Sequence, residues 1–157
     1  MKQPSYKIGL ITLFVCLSWL NGCSQNEKEI KVITFETTLG PIVIELFEEE
    51  APITSKNFLD YAESGFFNGT LFHRVIPGFV IQGGGMESGM QNKPGNPPII
   101  NEANNGLKNL KWTLSMARTN EPHSASSQFF INLVSNASLD HTAVSYTHLR
   151  AHETGYN

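Results

Sequence analysis

Within Leu71-Phe72-His73-Arg74-Val75-Ile76-Pro77-Gly78-Phe79-Val80-Ile81-Gln82-Gly83-Gly84, one arginine and one glutamine stand among apolar residues on two short predicted strands that turn at Pro77-Gly78. An arginine in such a run is either desolvated at a cost or faces a groove where its planar fork of donors has a partner. A guanidinium stays protonated and only donates, so the groove alternative calls for a ligand with a carbonyl oxygen. For an isolated arginine the default is a surface ion pair, and both readings stand on these residues alone. His73 adjoins Arg74 and reads as structural. Gly83-Gly84-Gly85 lacks the lysine-and-serine ending of a phosphate-binding loop and reads as a strand terminus with close backbone approach, so no nucleotide or other cofactor is expected.

The elements that must position these residues are short. Residues 32–37 and 42–47 are β-rich runs around Thr38-Leu39-Gly40-Pro41, which predicts a hairpin. Pro52 introduces a helix over about 56–62, with Ile53, Phe58, Tyr61 and Ala62 at helical spacing and Gly65 at its end. Residues 83–106 are rich in glycine and proline; a loop of that length inside one domain is functional or packed on the sheet by its own side chains. Residues 112–116 and 128–134 are the remaining predicted strands, the second containing the apolar run Phe129-Phe130-Ile131. The expected class is mainly β and antiparallel with one visible helix, a pattern that fits a sandwich as well as a barrel.

Lys2 and Lys7 precede an apolar stretch over 8–20, the layout of a secretory leader rather than a membrane span. That stretch ends in Leu20-Asn21-Gly22-Cys23, which resembles the lipobox of bacterial lipoproteins. The resemblance implies removal of residues 1–22, lipidation of Cys23 and a membrane anchor; a plain secretory leader with an incidental cysteine is the alternative. Cys16 lies in the leader, so no disulfide is expected in the mature domain. Residues 23–30 read as a polar tether, and the expected location is the bacterial cell envelope, lipid-anchored and facing the periplasm or the exterior. The whole chain has 11 basic and 14 acidic residues, a net charge of −3. Without residues 1–22 the balance is 9 against 14, or −5, and no basic stripe is present, which excludes nucleic acid as an expected partner. Length and composition fit one domain without internal repeats, expected to be a monomer.

Phe72-His73-Arg74-Val75-Ile76, Gly78-Phe79 and Gln82-Gly83-Gly84 resemble the signature segment of cyclophilin-type peptidyl-prolyl isomerases. Leu114-Ser115-Met116-Ala117-Arg118 and Ser124-Ala125-Ser126-Ser127-Gln128-Phe129-Phe130-Ile131 resemble that family's other groove-lining strands, in the right order and spacing. Asn101-Glu102-Ala103-Asn104-Asn105-Gly106-Leu107 brings the likeness closest to the bacterial branch. The resemblance implies a closed antiparallel β-barrel capped by helices, and an isomerase that accelerates X-Pro rotation during folding of exported proteins. It further implies that Arg74 is the catalytic arginine and that Gln82 holds it and the substrate backbone. Phe79, Val80, Phe130 and Leu139 correspond to the slot for the proline ring, and Ala117, Arg118 and Gln128 to positions contacting the peptide main chain. Val80 stands where methionine is common, Arg118 where asparagine is frequent, and Ser138 where the family has an aromatic residue.

The likeness is expected over residues 31–143 and to stop there. Residues 144–157 do not resemble the family's last strands and C-terminal helix, and resemble translated foreign sequence, which implies a truncated domain. His148 and His152 have the spacing of a helical metal pair without the glutamate of a zincin motif, so no metal is expected. Two other readings remain beside the isomerase: a proline-peptide-binding chaperone module without turnover, and an inactive fragment.

Overall fold

The computed structural model describes residues 30–140 and the backbone of 148–153. The predicted leader, Cys23, nearly all of the tether and residues 141–147 and 154–157 lie outside the described residues. A seven-stranded antiparallel sheet organises the rest. Its strands are β1 (Val32–Thr37), β2 (Gly40–Glu45), β3 (Arg74–Ile76), β4 (Val80–Gly83), β7 (Thr113–Met116), β8 (Phe129–Asn132) and β9 (His148–Glu153), in the order β1-β2-β9-β7-β8-β4-β3. The small hairpin β5 (Met86–Glu87) and β6 (Gln91–Asn92) lies within the long loop, and α1 (Pro52–Glu63) is the α-helix among the described residues. Residues 148–153, expected to fall outside the domain, run as β9 between β2 and β7.

The sheet is strongly curled. Four strand spacings separate β1 from β8, which in a flat sheet would be on the order of 19 Å. Yet the rings of Phe35 on β1 and Phe129 on β8 lie with centroids 5.7 Å apart. Phe58 of α1 fills the curl, its ring 5.7 Å from Phe35 and 5.4 Å from Phe129, and Phe67 completes the cluster. Ile44, Leu46, Leu114, Met116 and Ile131 pack around these rings and make the core. Aromatic pairs at these separations contribute roughly 0.5–1.5 kcal/mol each beyond the area they bury.

Two turns aim the signature strands. Phe79 N donates to Ile76 O at 3.0 Å, and Gly78 between them has φ +70°. Proline at the second position and glycine at a left-handed third position are what a type II turn requires. After β4, Gly84 has φ +79°, and a Cβ there would lie 2.7 Å from Ser127 O, so the chain crosses β8 at a distance open to glycine alone.

The helix and the long loop are tied together by a carboxylate. No side chain of α1 caps its N-terminus; Glu102, from the loop, accepts from Ile53 N at 3.0 Å and Thr54 N at 2.8 Å. A carboxylate there satisfies two orphan donors and complements the helix dipole. Glu102→Ala is expected to lower stability by roughly 1 kcal/mol, a fall of about 4 °C in Tm for a domain of this size, readable by thermal denaturation.

Candidate active-site groove

Strand register decides which side chains share a face. Arg74 pairs with Gln82 across β3 and β4, Gln82 with Phe130 across β4 and β8, and Phe130 with Ser115 across β8 and β7. Directly opposed residues project to the same side, so Arg74, Gln82 and Phe130 form one row. Two residues along, Ile76, Val80 and Asn132 form the next row on that side. Phe129, Ile131, Leu114 and Met116 alternate to the other side and belong to the core. The adjacent phenylalanines of β8 therefore have different roles, Phe129 filling the barrel-like curl and Phe130 flooring a groove on its outer face.

A cleft of about 270 Å³ on that face is lined by Arg74, Phe79, Val80, Gln82, Ala117, Arg118, Phe130 and Leu139. These are the residues expected at the site apart from Gln128. Val80 and Phe130 are buried, Phe79 and Leu139 half-buried, and Arg74 is exposed at the rim. Ligand pockets for drug-sized molecules run to roughly 300–1,000 Å³, so this cleft sits at the lower edge of that range and has room for a short peptide segment rather than a large ligand. His73 does not line it.

Gln128 joins through hydrogen bonds. Arg74 Nη1 donates to Gln82 Oε1 at 3.2 Å, and Gln82 Nε2 donates to Gln128 Oε1 at 2.9 Å. Gln82 thus spends its oxygen on the arginine and one of its amide hydrogens on Gln128, an orientation that a glutamate at position 82 could not reproduce. The guanidinium, with five N–H donors, uses one of them on Gln82. A second depression of about 300 Å³ shares Gln82, Ala117 and Arg118 with the first and continues over Gln128, Lys93, Gly95, Thr119 and Ser126. The groove therefore extends past the apolar slot into a polar section.

Beneath the slot lies a set of buried polar residues that sequence reasoning missed. Asn109, Ser115, Asn132, Asn136 and Asp140 are all buried. Asn109 donates to Asp140 Oδ1 from its backbone nitrogen at 2.8 Å and its side chain at 3.2 Å, and Lys108 Nζ is 3.5 Å from Asp140 Oδ2. The available signal was Asn132, a lone amide two positions after Phe130 on an otherwise apolar strand.

Burial raises the pKa of the Asp140 carboxyl; hydrogen bonds from Asn109 and the nearby Lys108 ammonium outweigh it and hold the group below its ordinary value. A carboxylate with a lower pKa in the folded than in the unfolded state adds stability that is complete above the unfolded value and is lost as pH falls through the folded one. The unfolded reference for aspartate is about 3.9. Stability is therefore expected to decline below about pH 4, and Asp140→Asn to show lower stability at pH 7 but a shallower acid decline, read from urea midpoints at pH 7 and pH 3.

A family model described as cyclophilin type peptidyl-prolyl cis-trans isomerase/CLD matches residues 32–153. The chain is 62% identical over 105 residues to peptidyl-prolyl cis-trans isomerase B of Escherichia coli K12, an alignment covering 67% of this chain and 64% of that protein. It is 58% identical over 109 residues to peptidyl-prolyl cis-trans isomerase A of Dickeya dadantii, covering 69% and 57% respectively. The match thus spans less than two thirds of the length of either relative. Among solved structures, the fold is similar to a cyclophilin type peptidyl-prolyl cis-trans isomerase of Cryptosporidium parvum determined in the presence of the dipeptide Ala-Pro, with a TM-score of 0.69, 31% identity and 80% coverage of both chains.

Proposed function

This chain belongs to the cyclophilin type peptidyl-prolyl cis-trans isomerase family, and from that premise we propose that it accelerates rotation about X-Pro bonds in polypeptides folding outside the cytoplasm. The observation that carries the proposal is the placement of the Arg74 fork in one cleft with Phe79, Val80, Phe130 and Leu139. The apolar side chains of this cleft take the proline ring and immobilise one side of the bond, and the Arg74 cation stands beside it.

Rotation is opposed by amide resonance, a barrier of about 18–20 kcal/mol. At the twisted midpoint the proline nitrogen loses conjugation and gains a lone pair, while no bond is made or cut. A donor aimed at that nitrogen, or at the proline carbonyl, binds the twisted form better than either planar form, which is what lowers a barrier. Arg74 is that donor. Gln82 fixes the plane of the guanidinium and, with Ala117, Arg118 and Gln128, holds the peptide main chain. His73 has no role in the step, since no proton is transferred.

The closed barrel of the family is the reading that best fits the contact of Phe35 with Phe129 across the curl. On this reading residues 31–143 carry the family's own sequence and 144–157 are foreign to it; against that boundary stands the family match, which runs on to residue 153, while the pairing of β9 between β2 and β7 is a backbone matter, indifferent to side-chain identity. Reading the coding DNA past the codon for Thr142 in all frames tests this, with a continuation resembling further strands and a helix in support and none against. Lipidation at Cys23 would place the domain at the bacterial envelope, facing the periplasm or exterior, as a monomer whose partners are proline-containing polypeptides. Radiolabelled palmitate incorporation, expected in the wild type and absent from Cys23→Ala, tests the anchor. A protease-coupled assay on a proline tetrapeptide tests the activity: acceleration above the spontaneous rate supports the isomerase, whereas binding without acceleration favours the chaperone module.

A further inference from the structure

The buried amides under the groove converge on the slot. Asn136 Nδ2 donates to Phe79 O at 3.1 Å and to Asn132 Oδ1 at 2.7 Å, while Asn136 N donates to Asn109 O at 2.7 Å. Asn132 Nδ2 in turn reaches Thr113 Oγ1 at 2.9 Å and Asn109 Oδ1 at 3.2 Å, and Ser115 Oγ donates to the same Asn109 oxygen at 3.1 Å. Both half-buried walls of the slot are tied to this set. Phe79 is held by its carbonyl, which accepts from Leu133 N at 2.9 Å as well as from Asn136. Leu139 sits in the 3-10 turn Ala137–Leu139; its nitrogen donates to Asn136 O at 2.9 Å, and the next residue is Asp140.

Phe79 closes a type II turn and is tied to the β8 side by the one bond from Leu133 N, and Leu139 lies in a short 3-10 turn, so neither wall lies within a strand. Amides are poor core material unless every hydrogen bond is made, and a fully satisfied buried network rigidifies what it touches. An apolar core would have been the simpler filling for this space. We infer that Asn136, backed by Asn132 and Asn109, is a positioning residue that sets the spacing between Phe79 and Leu139 and hence the fit of the proline ring. It touches no substrate, and its effect belongs to binding rather than to the twist that Arg74 stabilises.

This inference rests on the isomerase reading, and its test separates the two. Wild type, Asn136→Ala and Glu102→Gln are compared in amide hydrogen exchange, in thermal stability, and in KM and kcat for a proline tetrapeptide. Asn136→Ala is expected to speed exchange at the Leu133 amide and to raise KM about tenfold, the equivalent of one lost strut, with kcat within about twofold. Glu102→Gln, whose partners are at the start of α1, is expected to lower stability and leave KM unchanged. An unchanged KM in Asn136→Ala, or an equal rise in Glu102→Gln, overturns the inference. Should Asn136→Ala fail to fold, Thr113→Val removes one acceptor of the Asn132 amide, and the same split at about threefold is expected. If the wild type accelerates nothing, the isomerase reading fails, and the dissociation constant for an Ala-Pro-containing peptide replaces KM: a tenfold weakening in Asn136→Ala supports the strut, and no change overturns it.

Discussion

Arg74→Lys is expected to lower kcat/KM for X-Pro rotation by about 10²–10³, with Arg74→Ala at least as low, while Tm moves little because the side chain is exposed at the rim. Lysine keeps the charge, so a purely coulombic role would survive the change. What it loses is the rigid plane: an ammonium on a flexible stem cannot hold one donor on Gln82 and aim a second at the bond. The hydrogen bond from Arg74 Nη1 to Gln82 Oε1, continued to Gln128, defines that plane in the resting groove. Stopped at the level of kcat and KM, the measurement should show most of the loss in kcat, because the twisted form alone gains the interaction. A lysine variant within a fewfold of wild type would mean that charge, not geometry, carries the effect.

The second large effect separates neighbours in sequence. Phe129→Ala is expected to cost about 3–5 kcal/mol, which is enough to unfold a domain of marginal stability. Its ring meets Phe35, Phe58, Phe67 and Phe72 with centroids 5.4–6.0 Å away, so truncation leaves a void bounded by rings that cannot all collapse into it. Phe130→Ala opens the slot instead. Its loss of stability should be the smaller of the two, and its loss of kcat/KM about tenfold or more, mostly through KM. Thermal denaturation and steady-state kinetics on the pair check both halves. If Phe130→Ala were the less stable variant, the assignment of faces would be reversed.

The groove was legible in the sequence wherever a residue type was out of keeping with its run. Arg74 and Gln82 on apolar strands around a proline-glycine turn pointed to a hairpin and left a groove and a surface ion pair both open; the register sets the two residues opposite each other. Phe129 and Phe130 could not be told apart. All four residues of β8 are buried, so the strand shows no alternation of apolar and polar residues, and only its pairing with β4 and β7 assigns the faces. Glu102 could not be recognised as the cap of α1, because it comes from 48 and 49 residues away and the helix's own first turn carries no acid. Asn109, Asn136 and Asp140 carry no signal of their own in the sequence; their burial depends on the path of the chain between strands, which local pattern does not encode. The curl was equally hidden, since alternating strands fit a sandwich until Phe35 is found against Phe129.

The central claim is that Arg74 stabilises the twisted bond rather than merely the bound peptide. Exchange spectroscopy on a proline tetrapeptide, with wild type and with Arg74→Ala, reads binding and cis-trans exchange in the same sample. The account predicts fast exchange with the wild type and, with Arg74→Ala, a peptide that still binds within about tenfold of the wild-type affinity but exchanges near its spontaneous rate. Equal exchange rates for the two proteins at equal occupancy would contradict it.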